Sequence, residues 1–394
     1  MRALVAHILL LFLAFSCTKS PKDSDSINVL VFELAKDSSV SIPFTLSDST
    51  MTLYNHTEEI QMVYSITDSG IRINLPVFES YFLFDTLHIG AKGFWYDPSR
   101  PNGYKAPVSL ANMNSPYEAF KLPNQAEVWE CNFSGYKGKL DLYRDSSSDK
   151  VYANIQAETG DYRFLHGTIT AKQLSLQTFD GAHLFLFTAE YGDDVIENGS
   201  FLSGVHYRDQ WNAKRNQEFK LLGTAELVSA KDEFSSFSAE NSDGDTLHFN
   251  KSSFTGKLNI IQIMGTWCPN CMDESLLLQQ FLQDYEQQGL KVYAFAYERY
   301  EDKTRSWNAI KKAKKDMSLD YPIFLAGRAS KAEASEDFSF LEGVYSFPTS
   351  IFLEKNGKIL SVHSGFNGPA TGFAYKQQIS DFQEIIEEQL GLNE

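Results

Sequence analysis

The segment that most limits what this chain can fold into is Leu258–Cys271. Seven residues, Leu258-Asn259-Ile260-Ile261-Gln262-Ile263-Met264, form a mostly apolar run. Gly265-Thr266-Trp267 follows, and then Cys268 and Cys271 enclose Pro269-Asn270. So short an apolar run, bounded by glycine, reads as a buried strand. A helical pattern begins immediately after, with Met272, Leu276, Leu277, Phe281 and Tyr285 expected on one buried face and Gly289 ending it. A strand, a C-x-x-C pair and a helix in that order present a reactive dithiol.

The physical reason lies in the thiolate. Cys268 precedes the helix, where unpaired backbone N–H groups and the positive end of the helix dipole favour an anion. Pro269 suits the first helical position, because the N–H it lacks would have no partner there. Cys271 lies about one turn further on, placed to attack a mixed disulfide at Cys268. Half a zinc site is the competing reading. It needs two further ligands at suitable spacing, and the chain has no second C-x-x-C and only scattered histidines. No metal and no cofactor is expected.

The remaining cysteines agree. Cys131, in Glu127-Val128-Trp129-Glu130-Cys131-Asn132-Phe133, reads as a small buried hydrophobe in a strand. Cys17 closes the apolar stretch Leu4–Phe15, which follows Arg2 and precedes the polar, Ser-rich residues 18–26. Residues 1–17 resemble a bacterial lipoprotein signal, although Phe15 departs from the usual box. That resemblance implies lipidation at Cys17, export, a flexible tether over 18–26 and a periplasm-facing membrane lipoprotein. An ordinary cleaved signal also predicts export. With one pair and no further spacing pattern, disulfides are not the scaffold of this chain.

From residue 27 to about 233, short apolar and aromatic runs alternate with turn residues. Asn28–Ala35, Val40–Leu46, Gln61–Ile66, Ile71–Leu75 and Tyr81–Phe84 read as strands, with a hairpin at Asp68-Ser69-Gly70. Tyr96–Pro107 reads as an irregular loop and Ser115–Phe120 as a single helical turn. More strands follow, from Val128–Phe133 to Asp209–Lys214, separated by turns such as Thr159-Gly160-Asp161 and Asp180-Gly181. The expectation is one mostly antiparallel sandwich or barrel-like domain, with no internal boundary drawn. Gly160-Asp161-Tyr162-Arg163 and Phe179-Asp180-Gly181-Ala182-His183 read as turn chemistry plus one internal Asp–Arg ion pair.

A boundary is expected near 229–236, and residues 236–394 then change character. Lys291–Tyr297 reads as a buried strand, Lys303–Met317 as a basic helix, Tyr321–Leu325 as a strand and Lys331–Phe338 as a short helix. A hairpin turns at Asn356-Gly357, and Phe373–Leu390 is a terminal helix. The fold expected is an α/β thioredoxin-like domain. With 35 basic against 51 acidic residues and a net charge of -16, the chain is not built to bind nucleic acid.

Gly265-Thr266-Trp267-Cys268-Pro269-Asn270-Cys271, together with Ser346-Phe347-Pro348-Thr349, resembles the TlpA/ResA-type tethered thioredoxins over about residues 236–394. The resemblance implies a thiol–disulfide oxidoreductase acting on protein disulfides, supplied with electrons by a membrane donor. It implies that Cys268 attacks, Cys271 resolves, the two form a redox-active disulfide, and Trp267, Phe347 and a cis Pro348 contact substrate. Thioredoxins carry a buried acid six residues before the attacking cysteine, and here that position is Gln262. The resemblance places the acid instead at Glu298, ending the next strand, as general base for Cys271; a surface glutamate at a strand end is the plainer alternative. Peroxiredoxins, with one peroxidatic cysteine in a T-x-x-C setting, match less well. A β-domain binding module with an accessory or vestigial redox domain is the reading from a different functional class.

Overall fold

The computed structural model describes residues 28–113, 117–221 and 234–392. The expectations for the signal, Cys17 and the tether lie outside the described residues, as does most of the expected boundary. No described helix is long and apolar enough to cross a membrane.

The β-rich region is two structures. Eight strands between Asn28 and Asn112 close into an antiparallel barrel. Period-two alternation fills it: Leu30, Phe32 and Leu34 of the first strand face inward while Val29 and Val31 are only partly covered. The expected hairpin turns at Asp68-Ser69, with Thr67 opposite Gly70. The loop expected over Tyr96–Pro107 is shorter than predicted, since a strand resumes at Lys105. Pro107 is tolerated within it because the ladder to the first strand begins only at Val108, leaving one side of the proline unpaired. Tyr117–Phe120, the described part of the expected helical turn, has no regular structure.

Residues Glu127–Arg215 supply nine further antiparallel strands, and pairing of Lys137–Arg144 with Lys150–Ala157 closes that sheet on itself. Cys131 is fully buried in the first of these strands, as a hydrophobe would be. Phe179, Leu184, Leu186 and Leu202 of this second sheet join the core of the first barrel, where Phe179 lies 5.0 Å from Phe32, centroid to centroid. One continuous apolar cluster therefore spans both sheets.

The C-terminal unit is a seven-stranded sheet in the order Thr246–Phe249, Phe237–Glu240, Ile323–Arg328, Leu290–Glu298, Leu258–Met264, Thr349–Glu354, Ile359–Ser364. The central three strands are parallel and the outer pairs antiparallel. Helices α1 (Pro269–Tyr285), α2 (Lys303–Asp316), α3 (Lys331–Asp337) and α4 (Phe373–Leu390) connect and cover them. Gly289, at φ 114°, ends the helical run as expected. The buried face of α1 differs from the expected one. Leu277, Leu278, Phe281 and Leu282 are buried, whereas Leu276 is half exposed, because Glu274 and Ser275 take part of the inward stripe.

Candidate active site

The strand Leu258–Met264 is buried along all seven residues, is paired on both sides, and presents Gly265-Thr266-Trp267 at its C-terminal end. A side chain at Gly265 would collide with the Trp267 indole, so glycine lets the indole fold back. The Trp267 Nε1–H donates to the Tyr297 carbonyl at 2.9 Å, its ring meets Phe347 edge-on at 5.6 Å, and the Arg299 guanidinium lies over it at 4.3 Å.

Cys268 is the N-cap of α1, with Pro269 at the first helical position. Its sulfur accepts the Cys271 N–H at 3.2 Å and lies 3.4 Å from the Phe347 carbonyl oxygen. The Phe347–Pro348 peptide bond is cis. Cys268 and Cys271 are joined as a disulfide; Cys268 is 6% exposed and Cys271 not at all. The structure thus brings Trp267, Cys268, Cys271, Phe347 and Pro348 together.

Two buried carboxyls flank this group. Glu298 ends its strand 1% exposed, so it is no surface glutamate. Its oxygens accept the Thr266 N–H at 2.9 Å and the Thr266 hydroxyl at 2.8 Å. Burial pushes its pKa up to about 7 against the pull of those two bonds. It therefore braces the residues leading into Cys268.

The second carboxyl, Glu274, was not foreseen. It lies three residues after Cys271, hence on the same side of α1, and that spacing was the available signal. Fully buried, it accepts the Gln262 amide at 2.9 Å, and the same amide donates to the Cys271 carbonyl at 3.3 Å. Ser275 holds the other end of Gln262 at 3.1 Å. Burial raises the Glu274 pKa to about 7. Glu274 is thus tied, through Gln262, to the backbone carbonyl of the resolving cysteine.

A further feature of the site comes from outside the C-terminal domain. The expected internal Asp–Arg pair is present between Arg163 and Asp180, and the same guanidinium also reaches outside the second barrel. Arg163, in the second barrel, donates to Glu58 of the first at 2.8 Å, lies 3.9 Å from Asp180, and donates to Asp273, two residues after Cys271. Burial works against its charge, yet Glu58, Asp180 and Asp161 keep its pKa above the ordinary value.

Residues 230–362 match the AhpC/TSA family. The ResA thiol-disulfide oxidoreductase of Halalkalibacterium halodurans is 22% identical over 167 residues, which is 41% of this chain and 78% of that protein. The DsbE thiol:disulfide interchange protein of Vibrio cholerae is 26% identical over 117 residues, 30% of this chain and 55% of that one. Among solved structures, a thioredoxin-family thiol:disulfide interchange protein of Chlorobium tepidum aligns with 41% of this chain and 98% of its own, at 22% identity and a TM-score of 0.31. The C-terminal domain is therefore a thioredoxin-like domain of the AhpC/TSA family, homologous to thiol-disulfide oxidoreductases of the ResA and DsbE kind.

Proposed function

We propose that this chain is an extracytoplasmic, membrane-tethered oxidoreductase that reduces disulfides of protein substrates through Cys268 and Cys271. The observation that carries the reading is the Cys268 sulfur at the N-terminus of α1, bonded to the Cys271 N–H and facing the cis Phe347–Pro348 loop. The ResA and DsbE homologues support the chemistry, and the apolar segment ending at Cys17 supports the location.

In the reducing direction the Cys268 thiolate attacks one sulfur of the substrate disulfide. A Cys268–substrate S–S bond forms, and the second substrate sulfur leaves as a thiolate that takes a proton from water. Cys271 then loses its proton and attacks the Cys268 sulfur. The Cys268–Cys271 bond forms, the first substrate sulfur leaves as a thiolate, and two electrons have passed to the substrate. We keep the Cys271 proton with Glu298, the acid the resemblance names and whose pKa burial raises to about 7, because Glu274 reaches only the Cys271 backbone carbonyl, through Gln262. Glu298 also positions Thr266 and the start of α1. A donor outside this chain restores the dithiol.

A Cys271→Ser variant should accumulate covalent mixed disulfides with partner proteins, and a Cys268→Ser variant should not. Equal trapping in both variants removes the reading. The reduction potential of the pair decides direction: a value near that of thioredoxin, about -270 mV, fits a reductase, and one near about -120 mV reverses it.

A further inference from the structure

Chain that belongs to the two barrels packs against the residues that surround the dithiol. On one side stands the turn Thr159–Arg163. The Asp161 carbonyl accepts the Asn270 side-chain N–H at 3.4 Å, and the Asp161 carboxylate accepts the Gly368 N–H at 2.6 Å. Asn270 lies between the two cysteines, and Gly368 belongs to the loop before α4. Gly160 lies so close to Asn270 that it has no room for a side chain, and a Cβ on Gly365 would fall 2.9 Å from the Thr159 carbonyl carbon. Both glycines have positive φ, 140° and 83°, so the close approach depends on backbone that other residues rarely adopt. The Tyr152 hydroxyl adds a bond to the Ala370 carbonyl at 2.8 Å.

On the other side, Val77 and Phe78 of the first barrel pack on the apolar core of the C-terminal domain. With Ser99 and Ala182 they border the narrow gap beside Thr266, Trp267 and Glu298. Lys312 and Asp316 of α2 hold the same barrel loop through the Leu75 carbonyl and the Val77 N–H, each at 3.0 Å. Arg163 ties the arrangement together, since its carboxylate partners come from all three units. A polypeptide approaching Cys268 would meet Trp267, Asn270 and the Phe366–Gly368 loop. Intramolecular neighbours already border all three.

We infer that the Thr159–Arg163 turn is a selectivity element of the dithiol site. Resting on the exchange reading above, it occupies the ground a protein disulfide needs, so the docked chain exchanges with small thiols and disulfides, and protein partners gain entry only when the turn lifts away. Reduction by dithiothreitol needs no such opening: its two thiols convert the Cys268–Cys271 bond to two thiols and leave as a cyclic disulfide, so electrons and protons balance.

The test compares one chemistry at two sizes. The full-length protein, reduced with dithiothreitol and freed of it, is labelled with N-ethylmaleimide or with a polyethylene-glycol maleimide of protein-like size, and modification of Cys268 is followed by peptide mass spectrometry. The wild type should discriminate strongly against the large reagent. Arg163→Gln and Asp161→Ala should each raise the large-reagent rate by roughly tenfold or more while changing the small-reagent rate by less than about threefold, as release of one docked segment predicts. Asp161→Ala leaves the Arg163 ion pairs in place, so it decides the matter if Arg163→Gln fails to fold. An unchanged size ratio in folded Asp161→Ala protein overturns the selectivity role alone. A wild-type disulfide that dithiothreitol cannot reduce overturns the exchange reading and this inference together.

Discussion

Arg163 of the second barrel donates to the carboxylate of Asp273, which stands two residues beyond Cys271 on the first turn of α1. A residue 110 positions upstream thereby takes part in the surroundings of the dithiol. Because the same guanidinium also serves Glu58 and Asp180, it joins the two barrels to the redox domain at a single buried point.

Arg163→Met should therefore cost more than a surface charge would. It strands Glu58 and Asp273 without their cation while Asp180 keeps His183 at 3.2 Å, and loss of one partner from a buried ion pair typically costs about 3–5 kcal/mol. Glu58 is already pushed above the ordinary carboxylate range by burial, so it takes up a proton early as pH falls. The deficit should shrink as pH falls, read as the difference in urea midpoint between wild type and variant. A pH-independent deficit would mean that packing, not charge, carries the junction.

Glu274→Gln tests what burying that carboxyl does to stability. The folded pKa is raised to about 7 from an ordinary 4.5, so the stability linked to its neutral form is fully present below pH 4.5 and is lost as pH rises through 7. The loss in wild type is on the order of 3 kcal/mol across that window. The variant should lack this part of the pH dependence and be the more stable protein at pH 8. Its resolution of mixed disulfides at Cys268 should slow by less than about tenfold, because Glu274 reaches only the Cys271 backbone carbonyl and a general base at the thiol would be worth at least about 10²-fold. Stopped-flow decay of a mixed disulfide with a coloured thiol measures that step.

Thr266→Val removes one of the two bonds that Glu298 accepts there. A buried acceptor that loses a donor costs about 1–3 kcal/mol, and the Glu298 pKa should move further up. Carboxyl titration by NMR reads the shift, and thermal unfolding reads the cost. A downward shift would contradict the assignment of Thr266 as the group that holds its charge.

Cys131 should stay unlabelled by maleimides in the native reduced protein and react fully in denaturant, because burial raises its thiol pKa and removes it from reagent. Labelling in native buffer would show that the second barrel opens locally.

Much of the C-terminal domain was legible in the order of its residues. The seven-residue apolar run, the proline after Cys268, Gly289, Asn356-Gly357 and the span Phe373–Leu390 all act through local geometry, which neighbouring residues alone define. The strands of the β-rich region were legible for the same reason, through alternation. Their division into two closed sheets was not, since closure depends on which distant strands pair.

At the site, local order alone determined the dithiol, its cap position and its helix. Only the tertiary structure decided which acid stands beside it. Glu274 lies in α1 and Glu298 ends a strand, and burial among specific partners, not sequence spacing, gives them different neighbours. It also decided that Asp161 and Arg163, whose composition suggested a turn with an internal ion pair, reach across to Gly368 and Asp273. A charge chooses its partner by proximity in space, and no pattern within one segment encodes what the fold brings against it.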